Sequence, residues 1–301
     1  MEFITQFAKA RLYPPTDSKP SFAGKTAIVT GSNTGVGYEA ALKIAQQGAS
    51  HLILAVRTLA KGEDARKRIQ AAAGPQGKTT VIEVWELDML SYPSIQAFAA
   101  RVSRDLPQLD YAILNAGISP ASFERSTYGF EKTEQVNVMS TTLLALLLLP
   151  KLRESRTADF TPVLELVSSG MAYMTSKLTE HSPEGPIHAY SDALGKRWNP
   201  MQAYGMSKVL LEFAKVGLTS LVTHKGSSGK GADDVYVVSV CPGPTKSDLA
   251  RDQTGLLLRI FVSIMRFFQR SGEEGSRTYI SALTLGEKGQ GGFWQNDRLR
   301  E

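Results

Sequence analysis

Cysteine is almost absent: Cys241 is the only one in 301 residues. No intrachain disulfide framework is possible, and a reducing compartment, read here as the cytoplasm, fits the chain. Charge of one sign is not concentrated anywhere. The formal net charge of +5 is spread along the chain without a block of Lys or Arg, so no nucleic-acid partner is expected. Long apolar runs are missing too. Leu143 to Leu149 ends at Pro150, and Gly255 to Arg270 carries Arg259, Arg266 and Arg270. Neither reaches the roughly 20 apolar residues of a membrane span. Met1 to Pro20 lacks a continuous apolar stretch, so no secretory signal is expected there; Phe3, Ile4 and Phe7 point to a short amphipathic arm. Histidine is scarce. His181 and His188 have no Cys or carboxylate cluster beside them, so they read as solvated loop residues and no metal site is expected.

What the chain does have is alternation. Lys25 to Thr30 reads as a buried strand, followed by Gly31-Ser32-Asn33-Thr34-Gly35-Val36-Gly37 and a helix from Tyr38 to Gln47. Strand, glycine-rich turn and helix in that order form a device for binding phosphate, because the glycines let backbone approach it and the helix N-terminus offers free N–H groups. A second strand, His51 to Val56, ends at Arg57. Dinucleotide folds often place an acid near this point to bind a ribose 2′-hydroxyl. Arg57 without an acid favours a 2′-phosphate instead, hence NADP(H), with Asn33 and Lys61 as secondary contacts. Helix and strand then continue to alternate: Ala60 to Ala73, Thr80 to Leu87, Ser91 to Leu106, Leu109 to Leu114, Thr127 to Glu154, Thr161 to Val167 and Asp234 to Cys241. This rhythm predicts an α/β fold, a Rossmann-type doubly wound parallel sheet in a single domain (24–301) behind an arm (1–23).

In such sheets ligands lie beyond the carboxyl ends of the strands. Asp88 and Asn115 fall at those ends, each also able to cap its own turn. Ser168 and Ser169 follow the strand that closes at Val167, and Pro242-Gly243-Pro244-Thr245-Lys246-Ser247 follows the next. Asn137 sits inside an apolar helix face, where an amide needs partners. Tyr204 and Lys208 stand one helical turn apart. An ammonium beside a phenol favours the phenolate, so the pair is expected to lower the Tyr204 pKa and equip it for proton transfer.

With Thr30-Gly31-x-x-x-Gly35-x-Gly37, Asn115-Ala116-Gly117, Asn137, Ser169, Tyr204-x-x-x-Lys208 and Pro242-Gly243 in that order, the sequence resembles the short-chain dehydrogenase/reductase family over about Gly24 to Phe293. The likeness is to its retinol-dehydrogenase-like and fungal reductase members. It implies that Tyr204 is the general acid/base at the substrate oxygen and that Lys208 holds the nicotinamide ribose. It further implies that Ser169, rather than Ser168, hydrogen-bonds the carbonyl oxygen, and that Asn137 positions a water of the proton relay. By the same likeness Asp88 lies by the adenine, Asn115 and Gly117 back the cofactor, and Thr245 and Ser247 contact the nicotinamide end.

The sequence departs from the family in one place. Ser169 and Tyr204 stand much farther apart than usual, so residues 170–202 read as an insertion carrying Tyr173, Tyr190 and Trp198, a lid or partner-binding flap. Farther on, Arg259, Ser263, Arg266 and Arg270 form a polar stripe on an otherwise apolar helix within a substrate-lid region, 246–272. That helix covers a bulky apolar substrate, a dimer surface or a peripheral membrane contact. The leading functional expectation is an NADP(H)-dependent oxidoreductase interconverting a carbonyl and a secondary alcohol, by analogy in fungal secondary metabolism. Coupling of reduction to cyclisation is the second reading. A cofactor-binding scaffold with a vestigial site is the third. Cys241 reads as a small buried strand residue.

Overall fold

A computed structural model describes residues 12–174, 198–223, 233–246 and 269–300. Most of the 170–202 insertion, Ser247, and the helix proposed around Arg259, Ser263 and Arg266 lie outside the described residues, as does most of the N-terminal arm.

The strands are β1 (Thr26–Thr30), β2 (His51–Val56), β3 (Val81–Glu86), β4 (Tyr111–Leu114), β5 (Val163–Val167), β6 (Tyr236–Val240), β7 (Phe293–Gln295) and β8 (Arg298–Arg300). They form one sheet in the order β3-β2-β1-β4-β5-β6-β7-β8. All pairs are parallel except β7 with β8. The direction of strand addition reverses between β1 and β4, which opens a crevice at their carboxyl ends. The longer helices among the described residues are α1 (Gly35–Gln46), α2 (Leu59–Ala72), α3 (Tyr92–Asp105), α4 (Lys132–Glu154), α5 (Pro200–Val222) and α6 (Gly272–Ala282).

Period-two alternation divides the strand residues between two cores. Ile28, Ile53 and Leu164 face α3, α4 and α5, whereas Ala27, Val29, Leu52 and Val163 face α1 and α6. A sheet covered on both faces accounts for the continuous apolar reading of β1, β2 and β4. α4 is long and apolar enough to cross a membrane, yet most of that window is buried against α3 and the sheet. It is a core helix.

Several boundaries shift. The long helix begins at Lys132, not Thr127, because residues 125–131 turn back on themselves through a bridge between Arg125 and Glu131. Pro150 ends the apolar run but not the helix, which continues to Glu154. The C-terminal α6, β7 and β8 were not anticipated from sequence. β7 and β8 are too short to show a period, and they are joined at Asn296 and Asp297, both with positive φ (52° and 57°), the conformation of a tight hairpin turn.

Candidate active site

Gly31 leaves β1 with φ +65° and donates its N–H to Ala55 O at 2.8 Å, which draws the glycine loop against the end of β2. Gly37 permits the closest approach in the loop. A Cβ there would lie 2.4 Å from Asn115 Nδ2 and 2.7 Å from Gly31 O. Asn115 is the brace beneath: Nδ2 donates to Thr30 O (2.8 Å) and Gly31 O (3.3 Å), and Oδ1 accepts from the Tyr279 hydroxyl (3.1 Å). Ala116 N donates to Thr30 Oγ1, and Gly117 stands beside Asn137. α1 starts at Gly35 and Val36 without a side-chain cap from Thr34, and the Ser32 hydroxyl is buried without a protein partner. Uncapped N–H groups and an orphaned hydroxyl suit a phosphate-bearing ligand.

Arg57 is exposed at the mouth of this loop. A second cation, missed in the sequence, stands against the glycine loop: Arg68 of α2 donates to Asn33 O at 3.1 Å and lies 4.4 Å over the Tyr38 ring. Helical spacing from Lys61 is the signal that would have found it, since positions seven apart share a face. Asp88 is occupied by its own turn, accepting from Leu90 N at 2.9 Å.

At the other end of the crevice, β5 delivers Ser168 and Ser169. Ser168 is buried with its hydroxyl unpartnered, while Ser169 caps the following turn, accepting from Met171 N at 3.2 Å, and pairs with the Tyr204 hydroxyl. Tyr204 and Lys208 project from α5, which begins at Pro200 under an Asn199 cap. Lys208 Nζ donates to Val167 O at 2.7 Å and lies 5.5 Å from the centre of the Tyr204 ring. Asn137 occupies a π-helical turn, Gln135–Ser140, inside α4. Such bulges often mark functional sites. Both Nδ2 hydrogens are committed, to Ile118 O and Ser207 Oγ, each at 3.0 Å, and Oδ1 accepts from Ile118 N at 2.9 Å. The amide therefore cannot donate to a water, and only acceptor capacity remains for that purpose. Ser207, buried and bonded to Tyr204 O at 2.7 Å, completes the brace.

Electrostatics correct one expectation. The Tyr204 pKa is raised, not lowered: burial dominates, the Cys241 sulfur adds to it, and the bond from Ser169 opposes it only in part. Burial also pushes Lys208 down to about 8, against the charges of Glu212 and Cys241. Desolvation disfavours either charged form, so here both groups move towards their neutral states. The phenol keeps its proton at neutral pH.

Cys241 is more than a packed strand residue. Its sulfur accepts from Gly170 N (3.2 Å), Gly243 N (3.4 Å) and Gln295 Nε2 (3.1 Å), which ties the turn after Ser169 to the Pro242–Gly243 loop. Thr245 Oγ1 is turned inward to Pro242 O and Gly243 O, both at 3.1 Å. Arg270 does not belong to an exposed polar stripe. It is buried, with its guanidinium on Pro242 O and Tyr13 O.

Comparison with known proteins bears on the family and the fold. The family profile described as short chain dehydrogenase matches residues 25–179. The short-chain dehydrogenase/reductase ffsI of Aspergillus flavipes is 38% identical over 98% of this chain and 84% of its own length. Its counterpart phmF of Phaeosphaeria nodorum is 39% identical over 98% of this chain and 84% of its own. Among solved structures, the short-chain dehydrogenase of Sphingobium yanoikuyae in complex with NADPH superposes with a TM-score of 0.62, at 18% identity over 90% of this chain and 87% of that one. The Pseudomonas aeruginosa RhlG/NADP active-site complex gives a TM-score of 0.65, at 23% identity over 91% and 95%. The likeness to those structures lies in the fold, and the two fungal relatives, matched over almost the whole chain, carry the assignment. The chain is an oxidoreductase of the short-chain dehydrogenase/reductase family.

Proposed function

We propose that the protein uses NADP(H) to interconvert a carbonyl and a secondary alcohol on a bulky apolar small molecule. One observation carries this reading: the Ser169–Tyr204 pair and Lys208 meet at the sheet edge that also holds the glycine loop and Arg57. The cofactor supplies or removes a hydride at the substrate carbon. The chain's own residues manage the oxygen. Tyr204, kept neutral by burial, donates its proton to a carbonyl oxygen, and the Ser169 hydroxyl shares the charge that develops there. Lys208 has N–H groups beyond the one held by Val167 O and offers them to ribose hydroxyls. Asn137 and Ser207 hold α5 in register with the loop after β4. Neutral Tyr204 suits the reductive direction.

For NADP(H) over NAD(H), the support is Arg57, exposed at the end of β2, with Arg68 beside Asn33. The two solved complexes above hold NADPH and NADP, at identities too low to transfer the cofactor. Titration of the three tryptophans' fluorescence with NADPH and NADH tests the choice. Tight NADPH binding, weakened about ten-fold or more in Arg57→Ala, with NADH much poorer, is expected. Equal affinities for the two cofactors would reject it.

The fungal origin of the relatives makes secondary metabolism the setting we favour. Homodimerisation is proposed on a separate observation. α5 exposes Phe213, Val216 and Leu221, and α4 exposes Leu146 and Leu147, an apolar face that a second copy would cover. Light scattering should give twice the 32.7 kDa chain mass, and single-chain mass in Phe213→Glu. A wild-type monomer would rule out the dimer.

A further inference from the structure

Arg270 is only 2% exposed, and the structure gives it two distant main-chain acceptors. Nη2 donates to Tyr13 O at 2.9 Å, and Nη1 to Pro242 O at 3.3 Å. Its own backbone closes a parallel bridge with Thr245, through Arg270 N to Pro244 O (2.8 Å) and Lys246 N to Arg270 O (2.9 Å). Gly243 has φ +76°, and a Cβ there would lie 2.7 Å from Nη1. The guanidinium is therefore packed directly under the turn. Burying such a group is costly unless its donors are used, and its planar fork fixes the angle between the groups it holds.

The segment at Tyr13 is itself anchored. Arg277 Nη1 donates to Pro15 O at 3.3 Å, and Thr16 N and Oγ1 both reach Asp297 Oδ2 at 2.8 Å in the β7–β8 turn. Arg270 thus transmits the position of a fixed N-terminal strap to the Pro242–Gly243 turn. That turn is tied in turn through Cys241 to Gly170, next to Ser169.

We propose that Arg270 is a positioning residue for the nicotinamide end of the cofactor site, holding the Pro242–Gly243 turn at its working distance from Ser169 and Tyr204. The inference rests on the nicotinamide-cofactor reading above and adds to it a residue that touches neither cofactor nor substrate.

Two probes separate the ends of the site: NADPH spans it, whereas 2′,5′-ADP reaches only the adenine end. Both are titrated against the full-length wild type, Arg270→Lys and Arg270→Met. The expected result is NADPH affinity reduced about ten-fold or more, as for loss of a charged hydrogen bond, with 2′,5′-ADP affinity unchanged. The emission of bound NADPH should also move towards that of the free cofactor. Should Arg270→Met fail to fold, seen as loss of the cooperative urea unfolding transition, Arg270→Lys decides alone. Equal loss for both probes, or no loss for either, overturns the proposal. A wild type that binds neither probe rejects the cofactor reading itself and takes the inference with it. A wild type that binds 2′,5′-ADP as tightly as NADPH leaves that reading standing and overturns only the role of Arg270.

Discussion

Tyr204→Phe should reduce turnover by about 10²–10⁴-fold, the usual contribution of a positioned proton donor, while NADPH still binds. The substitution keeps the ring, and with it the contact with Lys208, and removes only the hydroxyl that pairs with Ser169. Separating binding from chemistry is what makes the variant informative. Under the carbonyl-reduction and reduction–cyclisation readings, the oxygen of the substrate loses its proton source. Under a scaffold reading, nothing that the protein does depends on that proton. Retained biological function together with retained cofactor affinity in Tyr204→Phe would therefore sink both enzyme readings at once.

The raised pKa gives this variant a second use. Burial holds the phenol neutral in the free protein, so no phenolate absorbance should appear on titration through neutral pH. The lysine four residues on does not reverse this: its own pKa falls only to about 8, and desolvation remains the largest influence on the phenol. At neutral pH the pair is thus a desolvated neutral phenol beside a lysine that still carries its proton, not a preformed ion pair.

Replacement of Glu165 should have the largest effect on stability. Glu165 lies at the centre of β5, fully buried, with both carboxyl oxygens lacking a protein partner. It shares a strand face with Val163 and Val167, among apolar side chains, and Tyr279 is near enough to feel its charge. Burial raises its pKa well above 4.5. Glu165→Met, close in volume, should raise the unfolding free energy by about 1–4 kcal/mol at pH 7, seen as a higher urea midpoint at unchanged slope.

The pH dependence has a definite sign. A carboxyl whose folded pKa lies above its unfolded value keeps its proton in the native state while the unfolded chain releases it. Its contribution to stability is whole below about pH 4.5 and is lost as pH rises towards the folded value. The wild type should therefore lose stability from acid to neutral pH by an amount that Glu165→Met does not. Glu165→Gln should flatten the same slope, because it removes the titration yet keeps a polar group. A wild type as stable as Glu165→Met, with the same pH slope, would show that the carboxyl is satisfied after all.

The order of motifs along the chain determined much of this protein by itself. Alternating strand and helix patterns specify a doubly wound sheet, since each pattern has a period that only one element can bury. The glycines at positions 31, 35 and 37 and the Tyr204–Lys208 spacing are local signals, complete within one loop or one helical turn. Tertiary structure decided what depends on distant partners. Desolvation of Tyr204 and Lys208 comes from everything packed around α5, so the sign of the tyrosine's shift was invisible in a four-residue spacing. Arg270, periodic with Arg259 and Arg266, reads as a surface residue until Tyr13, 257 positions away, is brought beside it. Arg68 reaches Asn33 only once α2 packs along the glycine loop, and Cys241 joins Gly170 to Gly243 only where β5 and β6 end side by side. Sequence periodicity reports which face of an element is buried. Which group lies on the other side of that face is fixed only when the chain closes on itself.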